Sequence, residues 1–260
     1  MSPSLASQVG PLARRSIAAT LKQPLIITPT LIFPLFFLAV NVPGLEAATT
    51  RLKGFPTDDY LAFSLAFAFV QAGLAGVTTA GGALAQDISN GFLSRLSLTP
   101  MKGAALIFGS LSGTVVLAEL GAVTYIVVGL AFGAKIEAGV GGALVLLLLT
   151  GLFALAFGSI GIFVALKTGS GEAVEAVFPL LFALFFLSSM AMPRNLIQTD
   201  WFKTFATYNP LSYMIEAVRS LLISGWDAEA LALGGGIAGV TIVVAITLAA
   251  TQISRRVLRT

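Results

Sequence analysis

Six apolar runs, nearly all about as long as a bilayer's hydrocarbon core is thick, constrain this chain more than any other feature. They fall at about residues 25–42, 60–84, 104–132, 140–166, 174–192 and 230–253. A helix rises 1.5 Å per residue, so roughly 20 apolar residues cross the ~30 Å hydrocarbon layer. Only 10% of the 260 residues are charged and 57% are apolar. Soluble domains carry about 25% charged residues, so the shortfall points to lipid as the solvent. Backbone polar groups in lipid must be satisfied internally, which makes each run a helix. The expectation is an all-α membrane protein with six transmembrane helices and no separate soluble module.

Several chemistries are excluded by what the sequence lacks. It has neither cysteine nor histidine. Disulfides, thiol nucleophiles, most zinc sites and the Ser–His–Asp arrangement are therefore unavailable. The Gly158-Ser159-Ile160-Gly161 stretch resembles a membrane serine protease motif, but no histidine is present to activate the hydroxyl. No G-x-x-x-x-G-K-[ST] phosphate loop occurs, so any ATP hydrolysis must come from another chain. No cofactor and no metal is expected on this one. The small net charge of +3 and the lack of a long basic run give nucleic-acid binding no support.

The first 22 residues lack the continuous apolar core of a cleaved signal peptide and carry Arg14, Arg15 and Lys22. Residues 1–23 are expected to form an N-terminal amphipathic interfacial segment. Its helix runs over 11–22, started by Gly10-Pro11 and stopped by Pro24. On a helical wheel Leu12, Ala13, Ile17 and Leu21 share a side, opposite Arg15 and Lys22, as in helices that lie in a membrane interface. Residues 24–260 form the six-span domain. Pro29 and Pro34 predict a kink in its first span.

Basic residues in short loops set orientation. With both termini cytoplasmic, Arg14, Arg15, Lys22, Arg95, Lys102, Lys167, Arg255, Arg256 and Arg259 fall inside. Arg51, Lys53, Lys135, Arg194, Lys203 and Arg219 fall outside. Nine against six of the fifteen favours termini inside.

Two polar segments break the apolar pattern. Residues 86–100 read QDISNGFLSRLSLTP. Ser89 or Asn90 suits a helix cap, Pro100 limits the helix, and Phe92, Leu93 and Leu96 make an apolar face beside Arg95. Such a surface helix fits a groove on a soluble partner; an ordinary loop is the alternative. After the fifth run, residues 193–226 hold Pro193, Trp201, Asn209, Pro210, Tyr213 and Arg219. Asn209-Pro210 starts a helix in which Leu211, Met214, Ile215, Val218 and Leu222 keep helical spacing. A short helix flanked by Trp201 and Trp226 suits an interfacial or re-entrant element.

These segments resemble the type-2 ABC exporter permeases, whose members carry a pattern near E-x-x-x-G-T-L-x-R-L-x-x-T-P between spans two and three. Asp87 takes the acidic position, and Gly91, Leu93, Arg95, Leu96, Thr99 and Pro100 match, with Phe92 in place of Thr and Ser94 in place of Glu. The later Pro, Trp, Asn-Pro-x-x-Tyr and Arg also match; the usual Pro before the Trp is replaced by Thr199-Asp200. The resemblance covers nearly the whole chain and is nearest to daunorubicin-resistance-type drug or lipid exporters.

What the resemblance implies is a permease in the plasma membrane, present as two copies (the same chain or a paralogue) with two separate ATPase subunits that bind ATP and Mg. The cytoplasmic coupling segment 86–102 would receive their motion through Asp87, Gly91, Phe92, Leu93, Arg95, Leu96, Thr99 and Pro100. The outer segment 193–226 would be a re-entrant gate. Polysaccharide or glycolipid export by the same architecture is the alternative cargo. A secondary transporter is a further alternative, though it would show paired broken helices and a midplane ion site. A scaffold that transports nothing would need neither polar segment. Glu119, in the third run, is either a substrate-path residue favouring cationic cargo or a hydrogen-bonded group in the bundle. Gly109-x-x-x-Gly113 and Gly235-x-x-x-Gly239 are expected to serve helix packing.

Overall fold

A computed structural model describes residues 4–49, 52–92, 95 and 102–257. Helices α1 Leu5–Leu21, α2 Pro24–Thr49, α3 Tyr60–Leu74 and α4 Gly76–Ser89 come first. They are followed by α5 Gly103–Ala131, α6 Gly139–Thr168, α7 Gly171–Phe186, α8 Asp200–Tyr208, α9 Pro210–Arg219 and α10 Ala228–Val257. No strand occurs among the described residues.

Among the described residues, five helical stretches are long and apolar enough to cross a membrane: Pro24–Ala47, Tyr60–Ser89, Gly103–Ala131, Gly139–Thr168 and Ala228–Ile253. The run at 174–192 differs. Its helix, α7, has 16 residues and stops at Phe186, short of the ~20 a straight crossing needs. The end has a long-range cause. Asn209 Nδ2 donates to the carbonyls of Leu184 at 2.6 Å and Leu187 at 3.1 Å, taking up acceptors at the end of the helix. Ser188 Oγ donates to the carbonyl of Phe185.

The 60–89 span lies at the centre of the bundle. Residues 62–77 are buried without interruption, whereas α2 and α10 leave most of their surface uncovered. The span changes helix at Ala75, where α3 ends and α4 begins. Here the backbones come unusually close. A Cβ on Gly76 would lie 2.9 Å from the carbonyl oxygen of Ala154, and one on Gly81 2.7 Å from the backbone of Gly161. Gly158 and Gly161 thus admit α4 against α6, the role small residues play where no water drives helices together. Ser159 between them donates to its own helix, at the carbonyl of Leu155.

α1 corrects the sequence reading in two respects. It starts at Leu5, capped by Ser4, whose Oγ accepts from Ser7 N, so Pro11 sits inside the helix instead of opening it. Its packed line is also Leu12, Ser16 and Thr20, with Leu21 47% exposed. Spacing i, i+4, i+8 keeps these three on one side. They meet Gly109 and Gly113 of α5, where the missing side chains allow close approach. Ser16 Oγ donates to the Ser110 carbonyl at 3.0 Å and accepts from Gly113 N at 3.2 Å. Hydroxyl bonds at a close glycine contact outweigh the wheel's apolar count. The Gly109–Gly113 pair packs helices as expected, whereas a Cβ at Gly235 or Gly239 would meet nothing within 4 Å.

Candidate functional site

The two polar segments lie at opposite ends of the bundle. Phe63, near the start of the central span, touches one cluster, and Asp87, near its end, belongs to the other. A separation of 24 positions in sequence corresponds to roughly 36 Å of helix.

At the Asp87 end, α4 closes on Asn90, and Gly91 takes φ +68, a conformation that costs glycine little. The chain resumes helical geometry at once: Phe92 and Arg95 are helical, and Arg95 N donates to the Gly91 carbonyl at 3.2 Å. Arg95 is exposed. Leu93, Leu96, Thr99 and Pro100 lie outside the described residues.

The sequence reading missed the partner of this corner, which is Arg15 on α1. Its Nη1 donates to Asp87 Oδ2 at 2.9 Å and its Nη2 to Oδ1, a two-pronged bond. The guanidinium also lies 4.1 Å from the centre of the Phe92 ring. The hydrogen bond and charge of Asp87 hold the Arg15 guanidinium above its ordinary pKa against the opposing effect of partial burial. α1 is therefore fastened to α5 through Ser16 and to the 86–92 segment through Arg15. The bond spans 72 residues, and only the placement of Arg15 on the polar side of an amphipathic helix hinted at it.

The other end is tied far more heavily. Asn209 precedes Pro210, which fills the first helical position of α9, where its missing N–H costs nothing. Its Oδ1 caps α9 by accepting from Leu211 N at 2.9 Å, while its amide holds the end of α7. Ser189 N donates to Ser212 Oγ at 3.1 Å. Tyr213 Oη donates to the Thr207 carbonyl at 2.9 Å, and Arg194 stacks 4.5 Å from the centre of the Tyr213 ring. Arg194 also grips Glu216 with two bonds, of 2.8 and 2.6 Å.

Arg219 is 6% exposed, sits 3.6 Å from the Phe63 ring centre, and donates to the carbonyls of Ser189 at 3.0 Å and Met190 at 2.9 Å. These two carbonyls belong to the turn after α7, so Arg219 and Asn209 clamp the same stretch. Its charge is shared with no carboxylate at bonding distance, a costly arrangement for a buried cation. Glu216, Ser189 and Ser212 were missed in the sequence because their partners lie 22 to 30 residues away. Pro193 and Arg219 line one open cavity of about 410 Å³. Trp201 stands apart from it on α8, 60% exposed beside Phe202 and Phe205.

After Arg219 the helix widens to π geometry over Ser220–Ser224. The carbonyls of Leu221 and Leu222 then accept from Ala138 N at 3.1 Å and Glu137 N at 3.3 Å. The loop before α6 is thereby joined to the Asn209 end by main-chain hydrogen bonds.

Glu119 belongs to neither cluster. It lies half-buried on α5 with its carboxylate against Gly151 of α6, where a Cβ would come within 2.6 Å of Oε1. No basic side chain among the described residues pairs with it. No group of three potential metal ligands occurs among the described residues.

Comparison with known proteins follows the same outline. The chain is 28% identical over 171 residues to the daunorubicin resistance ABC transporter permease protein DrrB1 of Streptomyces coeruleorubidus, a match covering 64% of this chain and 59% of that relative. The family model for ABC-2 type transporters matches residues 7–223, a span that takes in both the Arg15–Asp87 corner and the Asn209 cluster. The chain is a multi-pass membrane protein and belongs to the ABC-2 type transporter family.

Proposed function

We propose that this chain is the membrane-spanning half of an ATP-driven exporter that moves a hydrophobic or amphipathic drug or lipid outward. Permeases of this family work with ATP-binding subunits. In this reading two permease copies meet two such subunits on the cytoplasmic side of the cell membrane, and both termini are cytoplasmic. α7 and the turn after it make the sixth crossing, and α8 and α9 dip into the outer leaflet.

The single observation that carries the proposal is the build of the Asp87 corner. A helix end, a left-handed glycine and the bond from Arg95 N to the Gly91 carbonyl set exposed Arg95 beyond α4, while Asp87 and Phe92 are held by Arg15. ATP binding draws the ATPase pair together and displaces the 86–102 segment. The displacement passes into the central span through α4 and into α5 through Arg15 and α1. Two arrangements of the bundle, biased by nucleotide, then open the path inward or outward. The Asn209 cluster acts as the outer gate, and Glu119 lines the path.

Replacing Arg95 with Asp tests the coupling assignment. The variant is expected to lose at least tenfold of the ATPase subunit that co-purifies with the permease, with unchanged membrane insertion. Full co-purification would sink it.

A further inference from the structure

The cavity of about 410 Å³ at the Asn209 end falls in the size range of small-molecule sites, roughly 300–1,000 Å³. Its lining carries four charged residues: Arg194, Glu216, Arg219 and Asp227. Arg194 and Glu216 neutralise each other through their two-pronged bond. Neither of the remaining two, a cation and an anion, has an oppositely charged side chain within 4 Å among the described residues. Buried Arg219 bonds only to carbonyls, and its Nε has no hydrogen-bond partner. Asp227 accepts from Ala230 N at the start of α10, and no basic side chain among the described residues lies within 4 Å of it. Asn195, Ser220 and Ser224 complete the polar wall.

A purely anionic ligand would meet the carboxylate of Asp227, and a purely cationic one the guanidinium of Arg219. A zwitterion satisfies both. Depth narrows the choice further. Trp226, next to Asp227, is 61% exposed, and tryptophan concentrates at the level of lipid head groups. We infer that this cavity binds the zwitterionic head group of a phosphoethanolamine lipid, with its phosphate toward Arg219 and its ammonium toward Asp227 and Ser224. The inference rests on the outward placement of this end proposed above, which makes the lipid one of the outer leaflet.

The chain has two tryptophans, so a Trp201→Phe background isolates the fluorescence of Trp226 beside the cavity. Dihexanoyl phosphatidylethanolamine is expected to shift this fluorescence saturably and to bind at least fivefold tighter than dihexanoyl phosphatidylglycerol. Asp227→Asn keeps a competent helix cap while removing the charge and is expected to erase that preference. Ala230→Phe fills the mouth and is expected to weaken binding at least tenfold. Equal binding of the two lipids, a preference surviving in Asp227→Asn, or free phosphoethanolamine binding as tightly as the lipid would each overturn the inference. Orientation is read separately. The cysteine-free chain accepts a single Lys53→Cys, at an exposed position of the same end that does not line the cavity, for labelling by an impermeant maleimide in whole cells, and a protected thiol would reject the outward placement whatever the lipid result.

Discussion

The two polar ends of the bundle are built to opposite specifications. At the Asp87 end, one ion pair and one ring contact join α1 to the 86–92 segment, and Arg15 is half-exposed. At the Asn209 end, Asn209, Ser212, Arg194 and Arg219 together bind the end of α7, the turn after it and α9. Exposed ion pairs are worth about 0–1 kcal/mol, while each buried polar group left without its hydrogen-bond partner costs about 1–3 kcal/mol. The first is an attachment that thermal motion can bend. The second is a lock that must shift as a unit. This contrast suits a machine driven at one end and sealed at the other.

The largest effect should come from the buried cation's neighbourhood. Arg219→Met removes both donors to the Ser189 and Met190 carbonyls and leaves those acceptors buried and unbonded, at about 1–3 kcal/mol each. The expected outcome is a clear drop in thermal unfolding temperature in detergent; wild-type stability would show the lock to be redundant. Asn209→Ala comes next, losing a helix cap and two carbonyl bonds, together about 2 kcal/mol. Because α7 then loses the partner that ends it, faster amide exchange is expected at residues 184–190 and not at 86–92. Exchange rising equally at both ends would erase the contrast. The smallest effect belongs to the Arg15–Asp87 pair. A double-mutant cycle of Arg15→Ala and Asp87→Ala should give a coupling of at most about 1 kcal/mol in stability. Transport, if the corner conducts motion, should fall far more than that stability change implies.

How much of this was legible in the sequence follows from the range of the forces involved. Five of the apolar runs became helices long enough to cross, because burial in lipid is decided residue by residue. The run at 174–192 was misjudged in its end, since nothing local to Leu187 reveals that an asparagine 22 residues later takes its carbonyl. The start of α1 was misplaced for a similar reason. Pro11 is a common opener, but Ser4 supplies a cap about two turns earlier, and the helix tolerates one missing N–H. Asn209, Tyr213 and Arg219 were found by motif, and the structure brings them into one cluster. Their partners Glu216, Ser189 and Ser212 carry no local signature. Arg15 was counted among the topology charges and not among the residues that grip Asp87.

The widened turn at Ser220–Ser224 has one consequence of a different kind. Its hold on Glu137 and Ala138 is written in peptide groups, so it is indifferent to which side chains occupy those positions. Ordinary substitutions leave the strap whole, and a proline at 137 or 138 cuts it. Whatever slides the last two helices therefore drags the α5–α6 hairpin with it.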